Sequence, residues 1–358
     1  MNSHWQLFRI TTFWESHWVA LGVILDGLPA GFLVDLENIR MELGRRKPGQ
    51  SNITTQRQEE DENFEVLSWL FEWKTTGHPI TIIVRNSNQK SGDYSNIKDL
   101  FRPNHADLTY QLKYGIRDHR GGGRSSGRET LSRVIAGAIA KQFLQEKLGV
   151  KITAFTKKVG PFEAKDIDYD FIEQNKLRTA DKNVCGQMIS LVEETQKDGN
   201  SIGGVIECIS IGVPAGLGEP VFDKIKSRLA SSMLSIGGVL GFEYGAGFGV
   251  TDLTGKTYNE WFANQDGKIW SEHNRYGGVL GGITTGEDVV FRVAIKPTSS
   301  IYTEQKTVDI HGNAVDFAIS WRHDPCILPR VVPVIEAMTA IDLLDLYLLQ
   351  RSKLEGFF

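Results

Sequence analysis

The densest group of chemistry-bearing residues is Lys113-Tyr-Gly-Ile-Arg117-Asp-His119-Arg120-Gly-Gly-Gly-Arg124-Ser125-Ser126-Gly-Arg128-Glu129-Thr130. A glycine-rich loop runs straight into a helix start. Unpaired backbone N–H groups and the helix dipole favour an anion there. Arg124 and Arg128 stand four apart and flank one spot, and guanidinium groups suit phosphate or carboxylate. The spacing is neither GxxxxGK(S/T) nor GxGxxG, so no nucleotide loop of those kinds is implied. A second basic group is Arg45-Arg46-Lys47-Pro48-Gly49-Gln50, with Arg57 downstream. Alone it reads as a solvated loop. Beside the first it suggests a substrate with more than one negative group.

Proton transfer needs a group that titrates near neutrality, and imidazole is the nearest. His17 lies in Phe13-Trp14-Glu15-Ser16-His17-Trp18, and His105 in Arg102-Pro103-Asn104-His105-Ala106-Asp107. Either motif also suits an ordinary structural histidine. Neither has HExxH spacing, so no metal is expected, and there is no GxSxG elbow. Arg322-His323-Asp324-Pro325-Cys326 is a polar island between apolar stretches. Lys296-Pro297-Thr298-Ser299-Ser300 follows a strand-like run and offers a cation and hydroxyls to a phosphate-bearing cofactor. Gly277-Gly278-Val279-Leu280-Gly281-Gly282 lets backbone approach a flat ligand closely.

Short strands, turns and helices must position these groups. The pattern predicts strands over Trp18–Leu25 and Ile80–Val84 and a turn at Asp26–Gly31. It predicts a short helix over Asp35–Leu43. The clearest helix starts near Ser126, with Ser126 and Glu129 at capping-box spacing. Its face carries Leu131, Val134, Ile135, Ala138, Ile139 and Phe143, with Gln142 as the polar exception, and Gly149 stops it. Further helices are predicted near Pro220–Leu234 and Pro333–Leu349. Residues 157–200 read as a solvated, irregular excursion. Gly22-Val-Ile-Leu-Asp-Gly-Leu-Pro-Ala-Gly31 is echoed by Gly204-Val-Ile-Glu-Cys-Ile-Ser-Ile-Gly-Val-Pro-Ala-Gly216. The echo suggests one domain over 1–358 built from two related halves, roughly 1–150 and 200–358.

Composition fits a folded domain. The chain has 358 residues, 41% hydrophobic and 23% charged, with a charge of 40 − 44 = −4. That excludes disorder and disfavours a nucleic-acid binder driven by global charge. Its 3 cysteines are widely spaced and form no CxxC pair, which fits a reducing compartment. No signal peptide or membrane span is visible, so a cytoplasmic protein is expected.

Together the motifs resemble the chorismate synthase family over essentially the full length. They are Glu15-Ser16-His17, Arg45-Arg46-x-Pro-Gly-Gln50, Arg102-Pro-x-His-Ala-Asp107, Arg120-Gly-Gly-Gly-Arg-Ser-Ser-x-Arg-Glu-Thr130, Gly212–Asp223, Gly277–Gly282, Lys296–Ser300 and Arg322–Cys326. The resemblance implies an α+β fold, a β-α-β sandwich assembled as a homotetramer. It implies conversion of 5-enolpyruvylshikimate 3-phosphate to chorismate and phosphate by 1,4-elimination, with reduced FMN, toward the aromatic amino acids. By the family pattern His17 protonates the reduced flavin, His105 assists the leaving phosphate, and Asp324 helps relay a proton. Arg45, Arg46, Arg57 and Arg128 would bind substrate. Arg124, Ser125, Ser126, Gly237, Gly238, Gly281, Lys296, Pro297, Thr298, Ser299, Ser300 and Arg322 would hold FMN. Some members reduce flavin with NADPH; no added nicotinamide-binding (NADP) domain is visible, so an outside reductant is expected.

The sequence departs from that pattern in one direction. Trp5, Trp14, Trp18, Trp69, Trp73 and Trp321, six of the eight tryptophans, stand where the family has glycine. Gly127 replaces an alanine, Gly237-Gly238 an Asn-Ala or Pro-Ala pair, and Leu240 a lysine. Indole is a poor substitute where φ is positive or backbone meets a ligand. The alternative reading is therefore a catalytically impaired flavin- or anion-binding relative.

Overall fold

The computed structural model describes residues 2–14, 19–54, 63–68, 70–86, 98–265, 267–318 and 324–354. The first half runs β1 Ser3–His4, β2 Arg9–Phe13, β3 Ala20–Asp26, α1 Leu36–Arg46, β4 Phe64–Val66, β5 Leu70–Phe71, β6 Lys74–Thr75, β7 Ile80–Arg85, α2 Asp107–Tyr114 and α3 Thr130–Leu148. The second runs β8 Lys151–Val159, β9 Phe162–Glu163, α4 Lys182–Lys197, β10 Gly204–Ile211, α5 Ile225–Leu234 and β11 Val239–Tyr244. It continues through α6 Gly255–Tyr258, β12 Phe262–Gln265, β13 Lys268–Ser271, β14 Val279–Leu280, β15 Ile283–Thr284, β16 Val289–Ile295, β17 Gln305–Val308, β18 Ala314–Phe317 and α7 Leu328–Lys353.

Two five-stranded sheets, ordered β1-β2-β3-β7-β4 and β11-β16-β10-β8-β9, enclose a helical layer. Helix α3 packs on β3 and β2, α7 packs on β8 and β10, and the two helices pack on each other. The fold is α+β. Both central helices are apolar nearly all round, as burial between two sheets demands. They touch backbone to backbone: a Cβ at Gly137 would stand 2.2 Å from Ala337 Cβ and 2.3 Å from its Cα.

The same order, ββαββα, recurs as β2-β3-α1-β4-β7-α3 and β8-β10-α5-β11-β16-α7, with matching strand order in the sheets. The turns after β3 and β10 match atom for atom. Gly31 N donates to Thr75 O at 2.8 Å and Gly216 N to Thr284 O at 2.9 Å. Thr75 Oγ1 donates to Pro29 O and Thr284 Oγ1 to Pro214 O, both at 2.6 Å. Aligned on the turn, Gly27 meets Gly212, both at positive φ. Gly22 then meets Glu207, so the Gly-Val-Ile start of the echo is coincidental.

Several expectations need correction. Residues 157–200 are not a solvated excursion: they include the end of β8, β9 and the sixteen-residue α4, which buries Cys185, Met188 and Val192. On α4 the charged Lys182, Glu194 and Lys197 are exposed, whereas Arg178 and Asp181 ahead of it are buried. Ser126 and Glu129 form no capping box. Ser126 caps a short turn ahead of α3, accepting from Arg128 N at 3.3 Å. Glu129 instead accepts from Thr12 Oγ1 at 2.9 Å and Arg133 Nε at 2.8 Å. Gln142 bridges to the α1 N-cap, its Oε1 accepting from Asp35 N at 2.8 Å. Helix α7 begins at Leu328, before Pro333. A proline inside a helix leaves the carbonyl four residues earlier without its donor. Arg178 Nη1 supplies one, donating to Pro329 O at 2.5 Å.

Candidate functional site

His105 sits in a turn braced by an ion pair. Arg102 donates to the Asp107 carboxylate from Nε at 2.7 Å and Nη2 at 2.8 Å, and Arg117 Nη1 lies 3.2 Å from it. Burial opposes ionisation of Asp107, but Arg102 prevails and holds its carboxyl below the usual range. His105 Nδ1 is 2.9 Å from Pro103 O, which fixes it as the donor and leaves Nε2 facing Ser300 Oγ at 3.2 Å. Burial first, and then the Arg102 cation, push the imidazole pKa down, so the ring is neutral near pH 7. Asn104 holds φ +54, a conformation asparagine tolerates, and its carbonyl turns to the 296–300 loop.

That loop ties the candidates together. Lys296 Nζ donates to Asn104 O at 3.1 Å and to Ser299 Oγ at 2.5 Å, and Ser299 Oγ donates to Asn104 O at 3.1 Å. Burial lowers the Lys296 pKa. Thr298 Oγ1 donates to Asp324 O at 2.8 Å. Pro297 is exposed between them. Lys296 N donates to Gly238 O at 2.9 Å. A Cβ on the neighbouring Gly237 would stand 3.8 Å from Ser125 O.

The other flank closes the ring. Asp324 is 8% exposed and ion-paired with Arg330. Arg330 Nε donates to Arg46 O at 3.2 Å, and Arg46 Nε reaches Thr130 Oγ1 at 3.3 Å. Thr130 follows Arg128 at the start of α3. Arg124 Nη2 donates to Thr12 Oγ1 at 2.7 Å, while its buried Nη1 has no hydrogen-bond partner among the described residues. Ser125, Gly237, Gly238, Lys296, Thr298, Ser299, Ser300, His105, Asp324 and Arg46 thus belong to one set of contacts. Arg124, Ser126 and Arg128 adjoin it along the chain.

Two candidates fall elsewhere. Arg45 sits in a cage of carboxylates. It donates to Glu42 at 2.8 Å, to Glu336 at 2.6 and 3.1 Å, and to Glu173 at 2.9 Å, and Lys141 joins Glu42 and Glu336. Its pKa is raised well above normal: burial opposes the charge, but Glu336 outweighs it. Its donors serve the core, not a ligand. Gly281 lies at the β14–β15 turn, where its carbonyl accepts from Lys224 Nζ at 3.0 Å. That contact ties it to the 219–224 segment and not to the 296–300 loop. His17, Arg57 and Arg322 lie outside the described residues.

Arg330 is the functional candidate that the sequence reading passed over. The signal was faint: a cation just ahead of a helix expected to begin at Pro333. Among the described residues no cluster suits a metal ion, and no helix is long and apolar enough to cross a membrane.

The residues offer donors for a phosphate-bearing ligand. The unpartnered, buried Arg124 Nη1 offers a donor, and the space that a side chain at Gly237 would fill stays open beside the exposed Ser125. Lys296 adds a cation, and the hydroxyls of Ser125, Thr298, Ser299 and Ser300, each donating inside the protein, would turn to donate to such a ligand.

A half-buried histidine and a buried carboxylate, both tied to the 296–300 loop and its lysine and hydroxyls, are the equipment of an enzyme for a small anionic molecule. Comparison with known proteins narrows the class. The family model described as chorismate synthase matches residues 8–348. The chain is 49% identical over 356 residues to the chorismate synthase of Cytophaga hutchinsonii, covering 98% of each chain. It is 49% identical to that of Phocaeicola vulgatus, covering 98% of this chain and 99% of the relative. A crystal structure of chorismate synthase superposes with TM-score 0.78 at 30% identity, covering 99% of this chain and 95% of that one. The chain belongs to the chorismate synthase family, and is accordingly an enzyme, a lyase of aromatic amino-acid biosynthesis.

Proposed function

We propose that the chain converts 5-enolpyruvylshikimate 3-phosphate to chorismate and phosphate, with reduced FMN. The observation that carries this is the chain of contacts from Gly238 through Lys296, Thr298, Asp324 and Arg330 to Arg46. It supports the reading by linking groups suited to phosphate, carboxylate and proton. Arg46 and Arg128 bind the substrate anions; Arg45 is reassigned to the core. Arg124, Ser125, Ser126, Gly237, Gly238 and the 296–300 loop hold the flavin, with Arg322 and Gly281 as further candidates. Reduced FMN, when bound, supplies electron density to the ring as the phosphate leaves.

His105 is neutral in the resting site. An arriving phosphate dianion favours the imidazolium, because an adjacent opposite charge raises the pKa of a base. The substrate thereby loads the proton that assists its own leaving group. His17 is the proposed acid toward the flavin, Asp324 the relay, and Arg57 a further substrate cation.

Flavin is reduced by an outside source, and the protein works in the cytoplasm as a homotetramer. The exposed Phe248, Trp261, Phe262 and Ile269 around the β12–β13 hairpin support a partner surface. The deciding experiment is an anaerobic assay with photoreduced FMN, following chorismate absorbance and phosphate release together. Equal appearance of both supports the reading. A folded sample that binds FMN and yields neither product refutes it in favour of a binding protein.

A further inference from the structure

We propose that Arg330 is a positioning residue for the elimination, fixing the Asp324 carboxylate and the Arg46 backbone in one frame. The inference rests on the reaction proposed above. Arg330 is the third residue of α7, whose following turns are buried against α3, β8 and β10. From there Nη1 donates to Asp324 Oδ2, and Nε donates to Arg46 O at 3.2 Å. Asp324 lies on a loop and Arg46 ends α1, so neither element alone fixes the other. Arg330 touches both. A guanidinium on the last carbonyls of α1 also complements the negative end of that helix. One cation thus aligns the proposed proton relay with the proposed substrate arginine, and misalignment of about 1 Å costs about 100-fold in rate.

The test compares Arg330→Ala, Arg330→Lys, Asp324→Asn and the Arg330→Ala/Asp324→Asn double variant in the anaerobic assay. Wild-type turnover comes first; without it, the proposed reaction fails and not Arg330. Given turnover, Arg330→Ala is expected to lower kcat about 10- to 100-fold. FMN affinity, read by flavin fluorescence, should stay within about twofold. Arg330→Lys should recover part of the loss. In the Asp324→Asn background, loss of Arg330 should cost little more, because both changes remove one unit. Multiplying losses, or Lys no better than Ala, would overturn the proposal.

A separate observation concerns the tryptophans. Hairpin β5–β6 turns through Glu72 and Trp73 at φ +49 and +62, and β14–β15 through Gly281 and Gly282 at φ +60 and +100. A two-residue hairpin with both central residues at positive φ selects Asn-Gly, Asp-Gly or Gly-Gly. Trp73 therefore occupies the place of Gly282, and Trp69 lies outside the described residues. Trp5 also holds positive φ, +67, whereas Trp14, Trp261 and Trp270 do not. Trp73 is 56% exposed, so packing gives the indole no reason to be there.

We infer that positions 5 and 73 are glycine in the protein as its own cells make it. The codon UGA lies one base from the tryptophan codon UGG and one base from the glycine codon GGA. A gene that uses UGA for glycine, read with UGA as tryptophan, carries indole at a subset of glycine positions. The gene should then show UGA at 5 and 73 and UGG at 261 and 270. Tandem mass spectrometry of the cell-made protein should find glycine at both. UGG at those codons, or tryptophan in those peptides, would overturn the inference.

Discussion

Adding one methyl group at Gly137 tests the centre of the fold. The Cβ of Gly137→Ala would lie 2.2 Å from Ala337 Cβ, 2.3 Å from Ala337 Cα and 2.8 Å from its carbonyl carbon. Carbon atoms prefer about 3.5–4.0 Å, so α3 and α7 must part by about 1.3 Å or more. Two of the three obstructing atoms are backbone and have no rotamer to give. Both helices are backed by sheets, so parting them also loosens contacts behind. A gap of about 0.5–1 Å already forfeits a quarter to a half of the dispersion well. Overpacking costs about 1–3 kcal/mol where side chains yield, so about 3 kcal/mol or more is expected here.

The assay is urea unfolding followed by far-UV circular dichroism, at fixed protomer concentration because assembly shifts apparent stability. Gly186→Ala on α4 is the control. Its Cβ meets nothing within 4 Å, so helix propensity alone should stabilise by about 0.5–1 kcal/mol. Ala337→Gly added to Gly137→Ala removes the Cβ contact but leaves Cα at 2.3 Å. It should therefore recover less than half of the loss. A Gly137→Ala variant within about 1 kcal/mol of wild type, or full recovery in the double variant, would refute the crossing as described.

Arg45→Met should cost about 3 kcal/mol of stability, since it leaves buried carboxylates short of a partner; urea midpoints read the loss. KM for the phosphorylated substrate should stay within about twofold. His4, lowered to about 4 by burial first and then by Arg133 and Arg228, favours folding in its neutral form. Its contribution is complete above about pH 6.5 and is lost as pH falls toward 4, at most about 3 kcal/mol. His4→Gln should flatten the pH dependence of the urea midpoint in that window. His105→Asn should lower kcat by about 10²–10⁴ with little change in FMN affinity; equal kcat would remove His105 from the chemistry.

Strands β3, β7 and β16 and the helices α3 and α7 were legible because their signals are local. The apolar face of α3 announces itself, and the Pro-Ala-Gly turns mark where β3 and β10 end. What stayed hidden depends on partners far away in sequence. Helix α4 was missed because its buried Cys185, Met188 and Val192 are sparse among charges. Pro333 looked like a helix start, because nothing nearby shows that Arg178 satisfies the carbonyl it leaves unpaired.

Arg45 and Arg46 show most sharply where sequence reading stops. They are identical neighbours, yet successive helical residues point about 100° apart. One turns into the cage of Glu42, Glu173 and Glu336, the other toward Thr130 at the start of α3. A clue existed in Glu336, a lone acid in an apolar stretch of α7, since a buried carboxylate requires a cation. It named the need without naming the partner, for Arg45 lies 291 residues away. The candidate site has the same character. Its ring is drawn from the end of α1, the loop before α2, the start of α3, the strand ends at 237–238 and 296–300, and the start of α7. Each motif was visible, but only the sandwich decides which of them face one another. Arg330 and Arg45 exchange standing for that reason: the cation outside every motif joins the ring, and the one inside a motif belongs to the core.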